Sequence, residues 1–193
     1  MKNSLIRKYS AILALSVSAV MLTHTACAKE PFVVEPAVIT MTTEDSQVRF
    51  IVGMAKGTDK SDNLTIDWGD GKKGNLNNYD SFSKESEVYV YTRNYSDKAP
   101  RKIVITGNVT SLLCEGNLTA LDVSRNPALT LLNCSDNQLT ALDVSKNTAL
   151  KELYCKQNQL TALDVSKNTA LERLECNYNR SNAVFLLTSK AVN

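Results

Sequence analysis

Apolar residues recur with a fixed period in the C-terminal half of the chain. Residues 128–148 read ALTLLNCSDNQLTALDVSKNT and residues 149–169 read ALKELYCKQNQLTALDVSKNT, so the period is 21 residues. An earlier copy begins at Val109 and is one residue shorter after Asn117, and a last copy loses the pattern after Asn179. A single copy is too small to bury its apolar side chains alone. The period therefore predicts copies that stack around a shared core.

Within each copy, alternation of apolar and polar residues gives way to a turn. In Leu153-Tyr154-Cys155 the alternation predicts a strand with Leu153 and Cys155 pointing inward and Tyr154 facing solvent. An asparagine follows three residues after the cysteine, where its amide can bond main-chain groups that the turn leaves unpaired. We therefore predict an asparagine ladder formed by Asn137, Asn158 and Asn179.

The unit L-x-x-L-x-C-x-x-N-x-L is the leucine-rich-repeat pattern with cysteine in the third apolar position. The longer unit LTALDVSKNTALxxLxC, at residues 139–155 and 160–176, resembles the cysteine-bearing repeats of internalin J-type proteins and related bacterial surface lipoproteins. The resemblance covers residues 109–180. It implies a short leucine-rich-repeat solenoid with a parallel β-sheet. It also implies surface-exposed binding or adhesion to proteins or glycans of a host or neighbouring cell.

The outward positions of these strands change from copy to copy, whereas the inward positions stay the same. The outward set is a mixed patch with Tyr154 at its centre and charges around it, and tyrosine and arginine are frequent interface anchors. The alternative is that these positions are merely unconstrained surface. We predict a ligand-binding patch made of Leu131, Asn133, Ser135, Glu152, Tyr154, Lys156, Arg173, Glu175 and Asn177.

The repeat also aligns two sets of potential metal ligands. The first set is Cys114, Cys134, Cys155 and Cys176, and the second is Asp122, Asp143 and Asp164. Cysteines stacked in parallel ~4.8 Å apart suit neither a disulfide nor a tetrahedral metal site, so we predict buried free thiols. Each aspartate precedes a basic residue by three positions, which favours a charge-balanced surface over the alternative of a calcium-binding stack. We predict no metal and no cofactor.

The segment before the repeats consists of short runs typical of strands, separated by Gly, Asp and Asn, and predicts a small β-sandwich. The expected strands are Ala37–Thr42, Gln47–Gly53, Leu64–Trp68, Glu87–Thr92 and Lys102–Thr106. The stretch IDWGDG at residues 66–71, followed by VYVY at 88–91 and IVITG at 103–107, resembles PKD-like (polycystic-kidney-disease-type) Ig-fold domains. The resemblance implies that the tryptophan is in the core and that Asp-Gly forms a turn.

Asp67 and Asp70 flank this turn and have two alternative interpretations. They could form a catalytic carboxylate pair, as in glycoside hydrolysis, or a surface cation site. A hairpin turn on a small domain lacks the deep cleft that would raise a carboxyl pKa. Turn chemistry is therefore the favoured interpretation.

These patterns divide the chain into a signal peptide (1–26), a tether (27–36), a PKD-like β-sandwich (37–108) and a leucine-rich-repeat solenoid with a degenerate C-terminal end (109–193). No flexible linker separates Thr106 from Val109, so we expect the sandwich to dock on the first copy as its N-terminal cap. Residues 183–187 either fold over the last copy or are the ragged end of a shortened protein.

The N-terminus carries export signals. The 12-residue apolar run AILALSVSAVML at residues 11–22 is typical of a signal-peptide core and is too short to span a membrane. Ala26-Cys27-Ala28 permits cleavage after Ala28, which would give a secreted or periplasmic form. Thr25-Ala26-Cys27 resembles the end of a bacterial lipoprotein signal. We favour the second interpretation, in which a lipid on Cys27 anchors the protein to a membrane, as an outer-membrane or cell-surface lipoprotein.

The composition of the chain limits the classes of function that it can have. The whole chain has 22 basic and 20 acidic residues, and loss of Lys2, Arg7 and Lys8 with the signal leaves 19 basic residues against 20 acidic ones. The net charge of the mature chain therefore gives no reason to expect binding to nucleic acid. The single histidine, His24, is lost as well, which excludes Ser-His and Cys-His chemistry from the mature chain. We predict a non-enzymatic protein that binds an extracellular protein or glycan. The alternatives are a structural or accessory envelope lipoprotein and a carboxylate-based hydrolase.

Overall fold

The computed structural model describes residues 36–55, 64–75, 77–83 and 87–180, together with the main chain of 184–186. Within this part of the chain the secondary structure is all β, without helices. The predicted signal peptide, the predicted acylation site Cys27 and most of the predicted tether lie outside the described residues. So do the two ends of the predicted C-terminal segment 183–187.

The described residues form strands in three sheets. The strands before the repeats are β1 (Val38–Thr43), β2 (Gln47–Met54), β3 (Thr65–Asp67), β4 (Lys73–Asn75), β5 (Ser81–Ser83), β6 (Val88–Asn94) and β7 (Arg101–Thr106). The later strands are β8 (Val109–Glu115), β9 (Leu118–Arg125), β10 (Leu131–Asn133), β11 (Glu152–Tyr154), β12 (Ala162–Asp164), β13 (Arg173–Glu175) and β14 (Val184–Leu186). One sheet has the order β4-β3-β7-β1-β9, a second has the order β13-β11-β10-β8-β2-β6-β5, and the third pairs β12 with β14.

All five strands predicted before the repeats are found, as β1, β2, β3, β6 and β7, with bounds that differ by at most two residues. Two strands, β4 and β5, were not predicted. Their sequences, Lys-Gly-Asn and Ser-Phe-Ser, are short and mostly polar, and each strand lies at the edge of its sheet. Short polar strands are common at sheet edges because they discourage pairing with other chains, and they carry little sequence signal.

The first two sheets pack through a shared core. Phe50 of β2 lies between two aromatic rings, with centroid distances of 5.4 Å to both Trp68 and Tyr91. Further along the core, the Cys114 thiol contacts the sulfur of Met41 at 3.6 Å, which joins β8 to β1. Trp68 is buried in this core, as the resemblance to PKD-like domains implied.

Strand pairing runs without interruption from the early strands into the repeats. β8 is antiparallel to β2 on one side and parallel to β10 on the other, and β9 is antiparallel to β1. The chain crosses from one sheet to the other between these two strands, at Gly116. This glycine has a φ of 129°, and a Cβ there would lie 3.0 Å from the carbonyl oxygen of Gln47. The crossing therefore requires glycine.

The repeat copies lie in register in the seven-stranded sheet. β8, β10, β11 and β13 are parallel neighbours, and their central residues pair in the order Leu112, Leu132, Leu153 and Leu174. All four cysteines are free thiols, as predicted, and Cys114, Cys134 and Cys155 are buried as predicted, whereas Cys176 in the last copy is half-buried. Burial raises the pKa of each thiol, so these cysteines remain neutral and pack as small apolar groups.

The predicted asparagine ladder is confirmed. The Nδ2 atom of Asn158 donates to the carbonyl oxygens of Cys134 at 2.8 Å and of Cys155 and Lys156 at 3.2 Å. Its Oδ1 atom accepts from the main-chain N–H of Leu139 at 3.0 Å. Asn137 and Asn179 repeat these contacts one copy before and one copy after. Each asparagine therefore joins two copies while it satisfies buried main-chain groups.

A second ladder, which the sequence analysis missed, lies on the other side of the stack. Its members are Asn126, Asn147 and Asn168, and all three are buried. The Asn147 amide donates to the carbonyl oxygens of Val123 at 3.0 Å and of Asn126 at 2.9 Å, and Asn168 does the same one copy later. The sequence carried a signal for this ladder, because the three asparagines are spaced 21 residues apart. Asn147 and Asn168 are both followed by threonine, whereas Asn126 is followed by proline.

The aspartate column stabilises turns. Asp122, Asp143 and Asp164 each accept the main-chain N–H of the serine two residues on, at 2.8–2.9 Å. These serine contacts hold the pKa of each carboxyl below its usual range. In the part of the chain that the structure describes, no group of three or more His, Cys, Asp or Glu side chains could hold a metal ion. These contacts hold the aspartates in surface turns and favour the predicted charge-balanced surface over a calcium stack.

Replacing Asn158 by Ala tests the first ladder. The change leaves the buried N–H of Leu139 without its partner and removes one of the two amide hydrogen bonds to the carbonyl of Cys134, so the free energy of unfolding should fall by about 2–4 kcal/mol. Urea denaturation followed by circular dichroism measures this loss. The exposed residue Asn177 serves as the control, since Asn177→Ala should change stability by less than about 0.5 kcal/mol. Equal effects of the two substitutions would contradict the ladder's role.

Candidate functional site

The structure places the nine predicted site residues on one face of the seven-stranded sheet. Along this face Leu131 pairs with Glu152 and Glu152 with Arg173, and Asn133 pairs with Tyr154 and Tyr154 with Glu175. Ser135, Lys156 and Asn177 follow the ends of the three strands. We refer to these nine residues as the repeat face. Its first six residues along the chain are half-buried, and Arg173, Glu175 and Asn177 are exposed.

Polar contacts connect side chains of the repeat face, both within a copy and between neighbouring copies. The Tyr154 hydroxyl donates to Glu152 Oε2 at 2.6 Å, and Arg173 Nη1 donates to Glu152 Oε1 at 3.3 Å. Lys156 Nζ lies 3.6 Å from Glu175 Oε2. The hydrogen bond to Glu152 raises the pKa of Tyr154. Opposite charges are thus matched across the copies, and Glu152 holds the tyrosine and arginine side chains in place.

The same face continues beyond the repeats, which the sequence analysis missed. Leu113 of β8 pairs with Asn133 on one side and with Ile51 of β2 on the other, and Ile51 pairs with Val90 of β6. These apolar side chains are half-buried and continue the row that contains Tyr154. The available signal was that β2 and β6 carry apolar residues on both faces. The strand order needed to place them beside β10 was not in the sequence pattern.

A concavity of about 530 Å³ lies beside the repeat face. Its lining residues are Leu113, Cys114, Glu115, Gly116, Asn117, Asn133, Ser135, Asp136 and Lys156. Three of these belong to the repeat face. The others come from the crossing between the two large sheets and from Asp136, which has a left-handed φ of 57°. The first copy is a residue shorter than the others, and its chain leaves the sheet here to form β9.

The shortened first copy also changes the role of Asn117. In the sequence alignment this residue matches the ladder asparagines, but in the structure it is exposed and its amide donates to the Asp45 carboxylate. The Leu118 N–H donates to Asn137 at 2.8 Å, which is the same ladder contact that Leu139 makes with Asn158 one copy later. Asn117 therefore takes no part in the asparagine ladder, and it lines the concavity instead.

The aspartates considered as a catalytic pair form a turn instead. Asp67 Oδ1 accepts the N–H of Gly69 at 3.0 Å, and Asp70 Oδ1 accepts the N–H of Lys72 at 3.0 Å. The other Asp70 oxygen accepts from Arg93, at 3.1 Å from Nε. These contacts favour turn chemistry over hydrolysis at this position.

The residues that the structure describes include no helix long and apolar enough to cross a membrane.

A solved structure shares local sequence similarity with part of this chain. No protein-family model matches the chain, and no curated protein matches it. A solved structure described as the functional domain of InlJ from Listeria monocytogenes, which includes a cysteine ladder, is 38% identical over 35% of this chain. The match covers 20% of that protein's chain, so the similar region is about a fifth of its length, and the TM-score is 0.30. The finding is a local similarity in sequence.

The contact between Tyr154 and Glu152 can be tested by titration. Glu152→Gln removes the negative charge that disfavours the phenolate, so the pKa of Tyr154 should fall toward its ordinary value. Ultraviolet or NMR titration, referenced to a Tyr154→Phe variant, isolates this tyrosine from the others. Glu172→Gln removes the same charge from an exposed neighbouring position and should leave the pKa in place. An unchanged pKa in Glu152→Gln would show that the contact is absent in solution.

Proposed function

We propose that residues 109–180 form a short leucine-rich-repeat solenoid whose repeat face makes the chain a recognition module outside the cytoplasm. The partner would be an extracellular protein or glycan, and the function would be binding without catalysis. One observation carries the proposal. At the inward positions of successive strands the residue stays leucine, as in Leu132 and Leu153, while the outward neighbours change from Leu131 to Glu152 and then to Arg173.

Core packing explains why the inward positions stay constant, but it does not explain which residues occupy the outward positions. Inward positions must refill the same space in every copy, so core packing alone keeps them constant. Outward positions have no such requirement, yet they carry a tyrosine and an arginine held together by a shared glutamate. These residue types concentrate binding energy at interfaces, and an ordered cluster loses less entropy when a partner binds.

We propose that residues 37–108 form a PKD-like β-sandwich that caps the N-terminal end of the repeats. Support comes from β2, which hydrogen-bonds along β8, and from β1, which does the same along β9. In this arrangement the sandwich covers the first copy, whose strand edge and apolar side would otherwise be open to water. It would also hold the repeat face at a fixed orientation.

We propose further that residues 1–26 are a signal peptide and that Cys27 carries a lipid, with residues 27–36 as a tether. A lipid chain inserts into a bilayer because each buried methylene contributes about 0.8 kcal/mol. The folded part would then stand outside the membrane, at the outer membrane or the cell surface. Release after Ala28 would instead give a secreted or periplasmic protein.

A structural or accessory envelope lipoprotein is the second candidate function. The half-buried apolar row of Val90, Ile51 and Leu113 favours it, because such a row suits a permanent contact within an assembly. A constant partner at fixed stoichiometry would distinguish this role from recognition of a separate ligand.

Mutation of the repeat face tests the main proposal. The mature protein is first screened against arrays of glycans and extracellular proteins, and the dissociation constant of a ligand so found is measured. Tyr154→Ala combined with Arg173→Ala should then weaken binding at least about tenfold, because the two anchors and their geometry are lost. The thermal midpoint should change little, since Arg173 is largely exposed.

The matched control is Tyr178→Ala combined with Arg180→Ala. It removes the same two residue types from exposed positions off the repeat face, and Tyr178 is 75% exposed. Binding should be retained in this variant. Full binding by the Tyr154 and Arg173 variant would show that recognition does not use the repeat face.

The proposed anchor is tested by Cys27→Ser in the full chain, expressed in a bacterial host. The wild-type protein should incorporate labelled palmitate and sediment with membranes, because it carries the thiol that is acylated. The variant should lose the label and leave the membrane fraction. Cys176→Ser retains Cys27 and serves as the control. Equal labelling of the wild type and Cys27→Ser would favour release after Ala28 or another site of attachment.

A further inference from the structure

The last strand of the repeats, β13, leaves one edge of its sheet open. It ends the seven-stranded sheet, so among the described residues only β11 lies beside it. The Arg173 N–H donates to Lys151 O at 3.0 Å. The Glu175 carbonyl accepts from the N–H of Cys155 at 2.8 Å. Arg173 and Glu175 thus bond toward β11, and because main-chain groups alternate in direction along a strand, the N–H and C=O of Leu174 point to the open side.

The side chain of Leu174 also differs from the leucines at the equivalent positions. Leu112, Leu132 and Leu153 are fully buried, since each lies in a strand with a neighbour on both sides. Leu174 is only half-buried, and so is Cys176 two residues later. The end of the stack therefore exposes apolar surface beside unpaired main-chain groups, and an added strand would cover both.

Opposite charges flank Leu174 on the repeat face. The side chain of Arg173 is 69% exposed and that of Glu175 is 49% exposed, although each has an ion-pair partner in the preceding copy. A guanidinium has five donors and a carboxylate about four acceptor sites, so each group can bind a second partner.

This arrangement occurs only in the last of the aligned strands. The residues that pair with position 173 along the sheet are Glu152 and then Leu131, and those that pair with position 175 are Tyr154 and then Asn133. Neither of these earlier pairs carries two opposite charges. The arginine and the glutamate thus stand at the edge, where a second chain can reach them.

We infer that β13 pairs in antiparallel fashion with β13 of a second copy of this chain, about a twofold axis at Leu174. The sequence Arg-Leu-Glu, read in the opposite direction, places Arg173 opposite Glu175 of the second copy on both sides of the axis. Leu174 and its counterpart would exchange two main-chain hydrogen bonds and cover each other's side chains. Arg173 and Glu175 would form the closely spaced pairs between which no main-chain bonds run.

The charges select this partner and this direction. A parallel strand from another copy would place Arg173 beside arginine and Glu175 beside glutamate, and like charges directly opposite each other are destabilising. A twofold pair is closed, so the edge is used up once two copies have met. The two repeat faces would then lie on the same side of one continuous sheet. The inference goes beyond the proposed function and does not depend on it.

The first test is sedimentation equilibrium of the mature protein carrying Cys27→Ser, which keeps the protein free of lipid. Protein concentrations run from about 10 μM to about 1 mM, because a short strand pair buries little area and binds weakly. We expect a reversible equilibrium between monomer and dimer. A protein that stays monomeric, or one that forms larger assemblies, would overturn the inference.

Charge reversal tests the register. Arg173→Glu places two carboxylates opposite each other, and Glu175→Arg does the same with two guanidinium groups. Each variant alone should raise the dissociation constant of the dimer at least about tenfold. An equimolar mixture of the two variants should dimerise again, because every opposed pair then has opposite charges. Arg180→Glu makes the same change at an exposed position outside β13 and should dimerise normally. A mixture that fails to associate, with both variants folded, would overturn the inference.

Disulfide formation tests the direction of the strands. Arg173→Cys and Glu175→Cys are made separately in a Cys27→Ser and Cys176→Ser background, where the other thiols are buried. Opposed residues of such a pair have Cα atoms ~4.5 Å apart, within the range that a disulfide spans. The mixture of both variants should therefore form a disulfide-linked dimer faster than either variant alone. Equal rates in all three samples would contradict the proposed register.

Tyr154→Ala separates this inference from the proposed function. It leaves the edge residues of β13 in place, so self-association should be unchanged while ligand recognition by the repeat face is weakened. Ligand binding by a protein that stays monomeric at every concentration would keep the proposed function and overturn the inference. A dimer that follows the charge rules but binds no ligand would support the inference and remove the proposed function.

Discussion

Satisfaction of buried main-chain groups is the constraint on which the repeat structure depends. Each copy turns twice, and each turn would leave carbonyl and N–H groups away from water without partners. Asn158 supplies one set of bonds and Asn147 the other, and both reach the main chain of a neighbouring copy. A shift of one residue between copies would break both sets at once. The two ladders therefore fix the register of the stack, while the outward positions remain free to vary.

The shortened first copy shows what happens where this constraint is relaxed. There Gly116 carries the chain into the other sheet, and Asn117 binds Asp45 instead of the stack. Two consequences follow from one missing residue. The first copy is hydrogen-bonded into both large sheets, through β8 in one and β9 in the other. The crossing between these two strands forms one side of the concavity beside β10. The shortened first copy thus supplies the features that distinguish this protein from a uniform array of repeats.

Periodic features were predictable from the sequence because they repeat or alternate. The strands β1, β2, β3, β6 and β7, the first asparagine ladder and the free thiols are of this kind. The edge strand β4 was missed because Lys-Gly-Asn carries no apolar alternation. The extension of the repeat face to Ile51 depends on pairing between distant strands, and the concavity depends on where a shortened copy leaves the sheet. Local sequence patterns contain neither the pairing of distant strands nor the point at which the chain leaves the sheet. The predicted patch therefore included Asn133 and Ser135 but not Glu115 or Asp136.

The placement of the first two strands also determines the order in which the protein can fold. β1 lies between β7 and β9, and β2 lies between β6 and β8. The Thr43 hydroxyl, for example, bonds the carbonyl of Gly116, which is 73 residues further along the chain. During synthesis the early strands therefore emerge long before their second neighbours, with edges that can pair with other chains. The nascent chain needs protection until the first repeat copy has emerged, and only then can the two large sheets close.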